Sequence, residues 1–175
     1  MTTMHLRSLA LAALVATLAA CAAPEPKAPP APAVDVVALV ASIRAAAGPD
    51  DAKDELAIKP LRDPMVEDQR AQAQRLEREG DYQAAAAALD QALSVVGDDP
   101  ALLQERAEAA LLLQDFAGAE SFALKAHGLG AQVGPLCRRH WATIRATRGH
   151  RNDAAGVAEA DRQFQACKVT APPRY

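Results

Sequence analysis

The chain has 175 residues, half of them hydrophobic but only 3% aromatic, with a formal net charge of −3. Alanine supplies much of the apolar content; it buries little area and is the best helix former, so closely packed helices are favoured over a sandwich or a deep aromatic pocket. Charge is uneven, with 10 Lys and Arg against 19 Asp and Glu in residues 21–133 and 8 against 3 in residues 134–175, and the basic part lacks the interleaved aromatics that a nucleic-acid surface uses.

In chain order, residues 1–20 come first. His5 and Arg7 precede a short apolar run that ends at Leu18-Ala19-Ala20-Cys21. A basic start, an apolar stretch of roughly a dozen residues and a small-residue exit have the form of a secretory signal. A bilayer span needs about 20 apolar residues, and this run is too short and alanine-rich to serve as one. Leu-Ala-Ala-Cys resembles the lipobox of bacterial lipoproteins. The resemblance implies cleavage before Cys21, acylation of its thiol and a membrane anchor through that lipid. Ala22 stands where an Asp would retain the protein at the inner membrane, which implies export to the outer membrane, facing the periplasm, in a host that has one. Residues 21–33 hold five prolines and read as an extended spacer of about 3.1 Å per residue.

Residues 34–62 read as one helix and an acidic linker. Val36, Val40, Ile43 and Ala47 fall at helical spacing behind Asp35 as a cap, and Gly48-Pro49 ends the run. The helix reads as packed on its own domain, with partner binding or self-pairing as the other use. The stretch from Asp50 to Arg62, broken by Pro60, reads as loosely ordered.

The body, residues 63–168, is a repeat. Gly80-Asp81-Tyr82-Gln83-Ala84-Ala85 lies 34 residues before Gln114-Asp115-Phe116-Ala117-Gly118-Ala119, and Ala73, Ala85 and Ala92 match Ala107, Ala119 and Ala126. Asp63-Pro64 and Asp99-Pro100 mark helix starts. This period, with two helical patterns per unit, resembles the tetratricopeptide repeat. The resemblance implies an all-α stack of helical hairpins with small residues at the helix crossings and an aromatic opening each second helix. Gly149 to Ala154 reads as a third turn, 35 residues after Gln114, with the extra residue expected in the connection from Gly128 to Gly134. This third unit is degenerate: no aromatic opens its second helix, and Arg145 falls at a position the family gives to a large apolar residue. Trp141, Ile144, Val157 and Phe164 are its expected interior. Residues 169–175 form a tail.

Little chemistry stands out beyond this. Cys137 and Cys167 flank the third hairpin, where antiparallel helices bring the ends together in a compartment that permits oxidation. A disulfide closing that loop would contribute about 3–4 kcal/mol; the other reading is two buried thiols. A zinc site from Cys137, His140, His150 and Cys167 fails on spacing, since His150 belongs at the opposite end of the hairpin. No phosphate loop, His-Glu-x-x-His or Gly-x-Ser-x-Gly occurs. No catalytic, cofactor or metal site is assigned, and the chain reads as a non-enzyme.

What remains is surface. In the tetratricopeptide family the first helix of each repeat lines a concave groove. That resemblance implies groove positions at Glu67, Arg70, Gln74, Glu77 and Arg78, continued by Ala101, Gln104, Glu108, Leu111 and Leu112. These leucines read equally well as packed against the third repeat. The expected function is a periplasmic scaffold lipoprotein that binds an envelope protein or peptide. The alternative is a structural lipoprotein that self-associates, acidic front to basic back.

Overall fold

A computed structural model describes residues 34–48 and 63–168. The readings of residues 1–33, including Cys21, of the linker 49–62 and of the tail 169–175 lie outside them. The described residues form seven helices and no strand: α1 (Val36–Ala46), α2 (Pro64–Glu79), α3 (Tyr82–Val95), α4 (Pro100–Leu112), α5 (Phe116–Leu129), α6 (Gly134–His150) and α7 (Ala154–Ala166). None is long and apolar enough to cross a membrane.

Local chemistry sets most of these boundaries. An aspartate caps six of the seven: the side chains of Asp35, Asp63, Asp81, Asp99, Asp115 and Asp153 accept from backbone amides of the first turn at 2.8–3.1 Å. Each such cap contributes about 0.5–2 kcal/mol. Three hairpin turns share one closure. Gly80, Gln114 and Asn152 adopt φ of 82°, 60° and 60°. The amide after each reaches back five residues, as in Asp81 N to Leu76 O (2.9 Å), Asp115 N to Ala110 O (2.8 Å) and Asp153 N to Arg148 O (3.0 Å). This left-handed closure satisfies helix-end carbonyls and turns the chain at once into the next Asp cap.

The helices pair as hairpins α2–α3, α4–α5 and α6–α7, and each hairpin stacks on the next. Ala73, Ala85, Ala92, Ala107, Ala119 and Ala126 are all buried, allowing the axes to approach closely. Ala92→Leu is therefore expected to overpack the interior and destabilise the fold by about 1–3 kcal/mol. A urea denaturation midpoint equal to wild type would contradict this packing.

The third hairpin differs from its sequence reading. The connection into α6 is not enlarged: four residues separate α5 from α6, as four separate α3 from α4. Gly149 and His150 are helical, and the left-handed residue is Asn152, which lies 38 rather than 35 residues after Gln114. The four additional residues lengthen α6 by about one helical turn of 3.6 residues, so its inward face stays in phase. Trp141 and Ile144 are buried, while Val157 and Phe164 are half-buried. Arg145 points outward to Asp161 (3.1 Å), with its guanidinium over the Phe164 ring.

α1 packs against α4 and α6. Val40 and Ile43 enter the core beside Leu111, Leu112 and Ala142, a burial contributing about 1.5–3 kcal/mol for each side chain.

Candidate functional site

The first helices of the hairpins, α2, α4 and α6, line one face of the stack, and the expected groove positions divide there into two groups. Gln104, Glu108, Leu111 and Leu112 are buried and so are not groove surface. α1, a neighbour that the repeat pattern does not encode, lies over Glu108 and the leucines, while α6 covers Gln104 through Thr143 and His140. The leucines sit in the cluster formed with α1 and α6.

Glu108 is the centre of the covered half. Its carboxylate is fully buried and accepts from Arg44 Nε of α1 (2.7 Å), from Arg139 of α6 and from Gln104 Nε2 (2.9 Å). A carboxylate can only accept, which turns the Gln104 amide nitrogen towards it. Gln104 Oε1 then faces His140 Nδ1 (2.8 Å), so Nδ1 carries the proton. The same Nε2 donates to Thr143 Oγ1 (2.8 Å), and that hydroxyl donates to the Arg139 carbonyl (3.0 Å). A buried ion pair with this many hydrogen bonds fixes geometry as much as it stabilises.

The other half is open. A cleft of about 470 Å³ is lined by Arg70, Gln74, Glu77 and Arg78 of α2, by Glu105 of α4, and by Arg44 and Arg139, over a floor of Ala73, Ala85 and Leu89. Arg44 bridges the two halves, donating to Glu77 at 2.6 and 2.9 Å while holding Glu108. Arg70 pairs with Glu105 (2.8 Å from Nε) and lies 3.6 Å from Glu67. Glu67 is exposed outside the cleft lining, and Ala101 is half-buried. Gln74 and Arg78 are exposed, and Arg78 has no ion-pair partner among the described residues. The cleft can therefore offer a carboxylate or a peptide carbonyl one free guanidinium and one free amide beside an apolar floor. Sequence reasoning missed Arg44 and Arg139, both cleft walls. Arg44 follows Ile43 on the apolar stripe of α1, and that adjacency was its one visible signal.

His140 is pushed down to about 3, chiefly by burial and then by the nearby His127 and Arg139. Unfolded imidazole titrates near 6.5. Between about pH 6.5 and pH 3 the unfolded chain therefore takes up a proton that the folded chain refuses, and stability falls as pH falls. Glu120 is desolvated, yet hydrogen bonds from Arg151 and Arg148 hold its carboxyl below the usual range. Its contribution is thus lost only at lower pH. The expected result is a melting temperature lower at pH 5 than at pH 7.5. A flat profile across that interval would contradict a buried neutral His140.

Cys137, in the first turn of α6, and Cys167, the C-cap of α7, have Cα atoms 5.7 Å apart and joined sulfurs. His150 lies at the other end of α6, stacked on Phe116 with centroids 3.6 Å apart. Three arginines of the last hairpin pair across to the acidic front: Arg139 with Glu108, and Arg148 and Arg151 with Glu120.

No family model matches the chain, and no curated protein matches it. Among solved structures it is similar to the globular C-terminal domain of P. aeruginosa LpoP, with 28% identity and a TM-score of 0.55 over 60% of this chain and 99% of that domain.

Proposed function

We propose that the protein is a lipid-anchored envelope scaffold whose tetratricopeptide-like stack binds a segment of another envelope protein in the open cleft. The observation that carries this reading is the cleft itself: a cavity on the first-helix face with an apolar floor, four arginines in its lining and Arg78 without an ion-pair partner among the described residues. The likeness to the LpoP domain supports a scaffold role in the envelope at a coarse level. The lipobox resemblance at Cys21 supports the anchor, and Cys21→Ala is expected to abolish acylation in metabolic lipid labelling. Self-association is the weaker reading, because Glu108 and Glu120 already pair with the basic hairpin of the same chain.

The test is co-purification of envelope proteins with the tagged full chain, comparing wild type with Arg78→Glu. Arg78 is exposed, so the variant should melt within about 0.5 kcal/mol of wild type and lose the co-purified partner. A partner retained in full by Arg78→Glu would remove the cleft from the account.

A further inference from the structure

α1 occupies its half of the groove in the manner of a bound peptide. Val36, Val40, Ile43 and Ala47 fall on one face of the helix, and the central pair is 2% exposed, inserted among Leu111, Leu112 and Ala142 of α4 and α6. Its polar contacts are two: Arg44, one residue past Ile43, reaches Glu77 and Glu108 together, and Arg138 of α6 donates from Nε to the Ala47 carbonyl at the C-terminal end of α1 (3.1 Å). Apolar anchors at i and i+3, a half-buried small residue at i+7 and charged contacts at the groove edge and the helix end describe a helix laid into a groove.

Several features set α1 apart from the helices beneath it. It has no hairpin partner among the described helices, lying instead across α4 and α6. A helix of eleven residues is marginal in water by itself, and this one is anchored by two buried aliphatic side chains with Leu39 and Ala46 partly buried beside them. Arg44 is 41% exposed even when docked, so water reaches its guanidinium while α1 is in place. Most telling is the receiving side. If α1 leaves, Glu108 remains paired with Arg139 and hydrogen-bonded to Gln104, so no buried charge is orphaned. What the receiving side gives up is the Arg44 pair of Glu77 and the hydrogen bonds from Arg138 to the Ala47 carbonyl, both at part-exposed groups that water can satisfy.

We infer that α1 is a resident, displaceable ligand of a helix-receiving groove. The occupant that replaces it is a partner's short amphipathic helix with the chemistry of α1: aliphatic residues at i and i+3, an arginine at i+4 and a small residue at i+7. The aliphatic pair recognises the floor of Leu111, Leu112 and Ala142, and the arginine recognises Glu77 and Glu108. This groove shares Arg44 and Glu77 with the rim of the open cleft, and the inference does not depend on a partner binding in that cleft.

The probe is a labelled synthetic peptide of residues 34–48, blocked at both ends and titrated into the full chain by fluorescence anisotropy. The Arg44→Ala chain is expected to bind it at least fivefold more tightly than wild type, because its own α1 has lost its pin while Glu77 and Glu108 stand ready for the arginine of the peptide. The same peptide carrying Arg44→Ala or Ile43→Asp should lose that gain. Hydrogen exchange on the wild-type chain gives a readout that needs no variant. The α1 amides should exchange at least tenfold faster than those of α4 and α6, and excess peptide should accelerate them further. If Arg44→Ala fails to fold by circular dichroism, the exchange experiment decides alone. α1 amides as protected as those of α4 and α6, or peptide binding indifferent to the chain variant and to the arginine of the peptide, would overturn the inference.

Discussion

Glu108→Ala is expected to destabilise the protein by about 3–5 kcal/mol, the cost of removing one partner from a buried ion pair. The substitution leaves Arg139, itself largely buried, without its carboxylate, and opens a void between α4 and α6 where Arg44 also converged. For a domain of this size that loss lowers the melting temperature by roughly 10–20 °C. Glu108→Gln keeps the volume and one acceptor and should cost less. The measurement separates two roles for one residue. A groove-surface Glu108 would change partner affinity and leave the melting curve alone; a buried Glu108 moves the melting curve first. A melting temperature within 2 °C of wild type would return Glu108 to the surface and undo the description of the covered half.

Removing the Cys137–Cys167 link, by reduction or by Cys137→Ser with Cys167→Ser, is the second large effect. The bond closes a loop with a sequence separation of 30, and in the chain-entropy account its loss costs about 3–4 kcal/mol. The third hairpin is where that loss should act. α7 contributes a single fully buried side chain, Ala160, from within the helix. The other tie at that end is the hydrogen bond from Gly134 N to Cys167 O (2.8 Å). Urea denaturation of the unreduced and reduced protein should show a lower midpoint on reduction, with amides of α6 and α7 exchanging sooner than those of α2 and α3. Equal midpoints, with mass spectrometry verifying that the thiols differ between the samples, would contradict a stabilising bond.

Much of the stack was legible in local chemistry. The Asp caps, the 34-residue period and the alanines at the crossings mark the hairpins from Asp63 to Gly134, because caps and close helix approach each demand particular residues at fixed offsets. The third turn was misplaced because Gly149 suggests a left-handed end to a helix, whereas the residue that adopts that conformation is Asn152. One added helical turn inside α6 leaves no composition signal, only a shift in where the inward face stops.

The groove was half legible for a different reason. Repeat position identifies which face a residue lies on, not what covers that face. Glu77 and Glu108 look alike as charged residues on first helices. One faces an open cleft and the other is sealed by Arg44, which lies 64 residues away in sequence. The charge asymmetry likewise does not show which of its charges pair inside one chain: that three arginines of the last hairpin meet Glu108 and Glu120 depends on the stacking of α6 against α4 and α5.

The most direct test of the scaffold account is photo-crosslinking in intact cells, with a photoreactive residue at Gln74 or Arg78 in the cleft and at Leu124, an exposed position on α5, as the comparison. The account expects a reproducible adduct with one envelope protein from both cleft positions and none from Leu124. Adducts from Leu124 alone, or only adducts between copies of this chain, would contradict the cleft as the partner site.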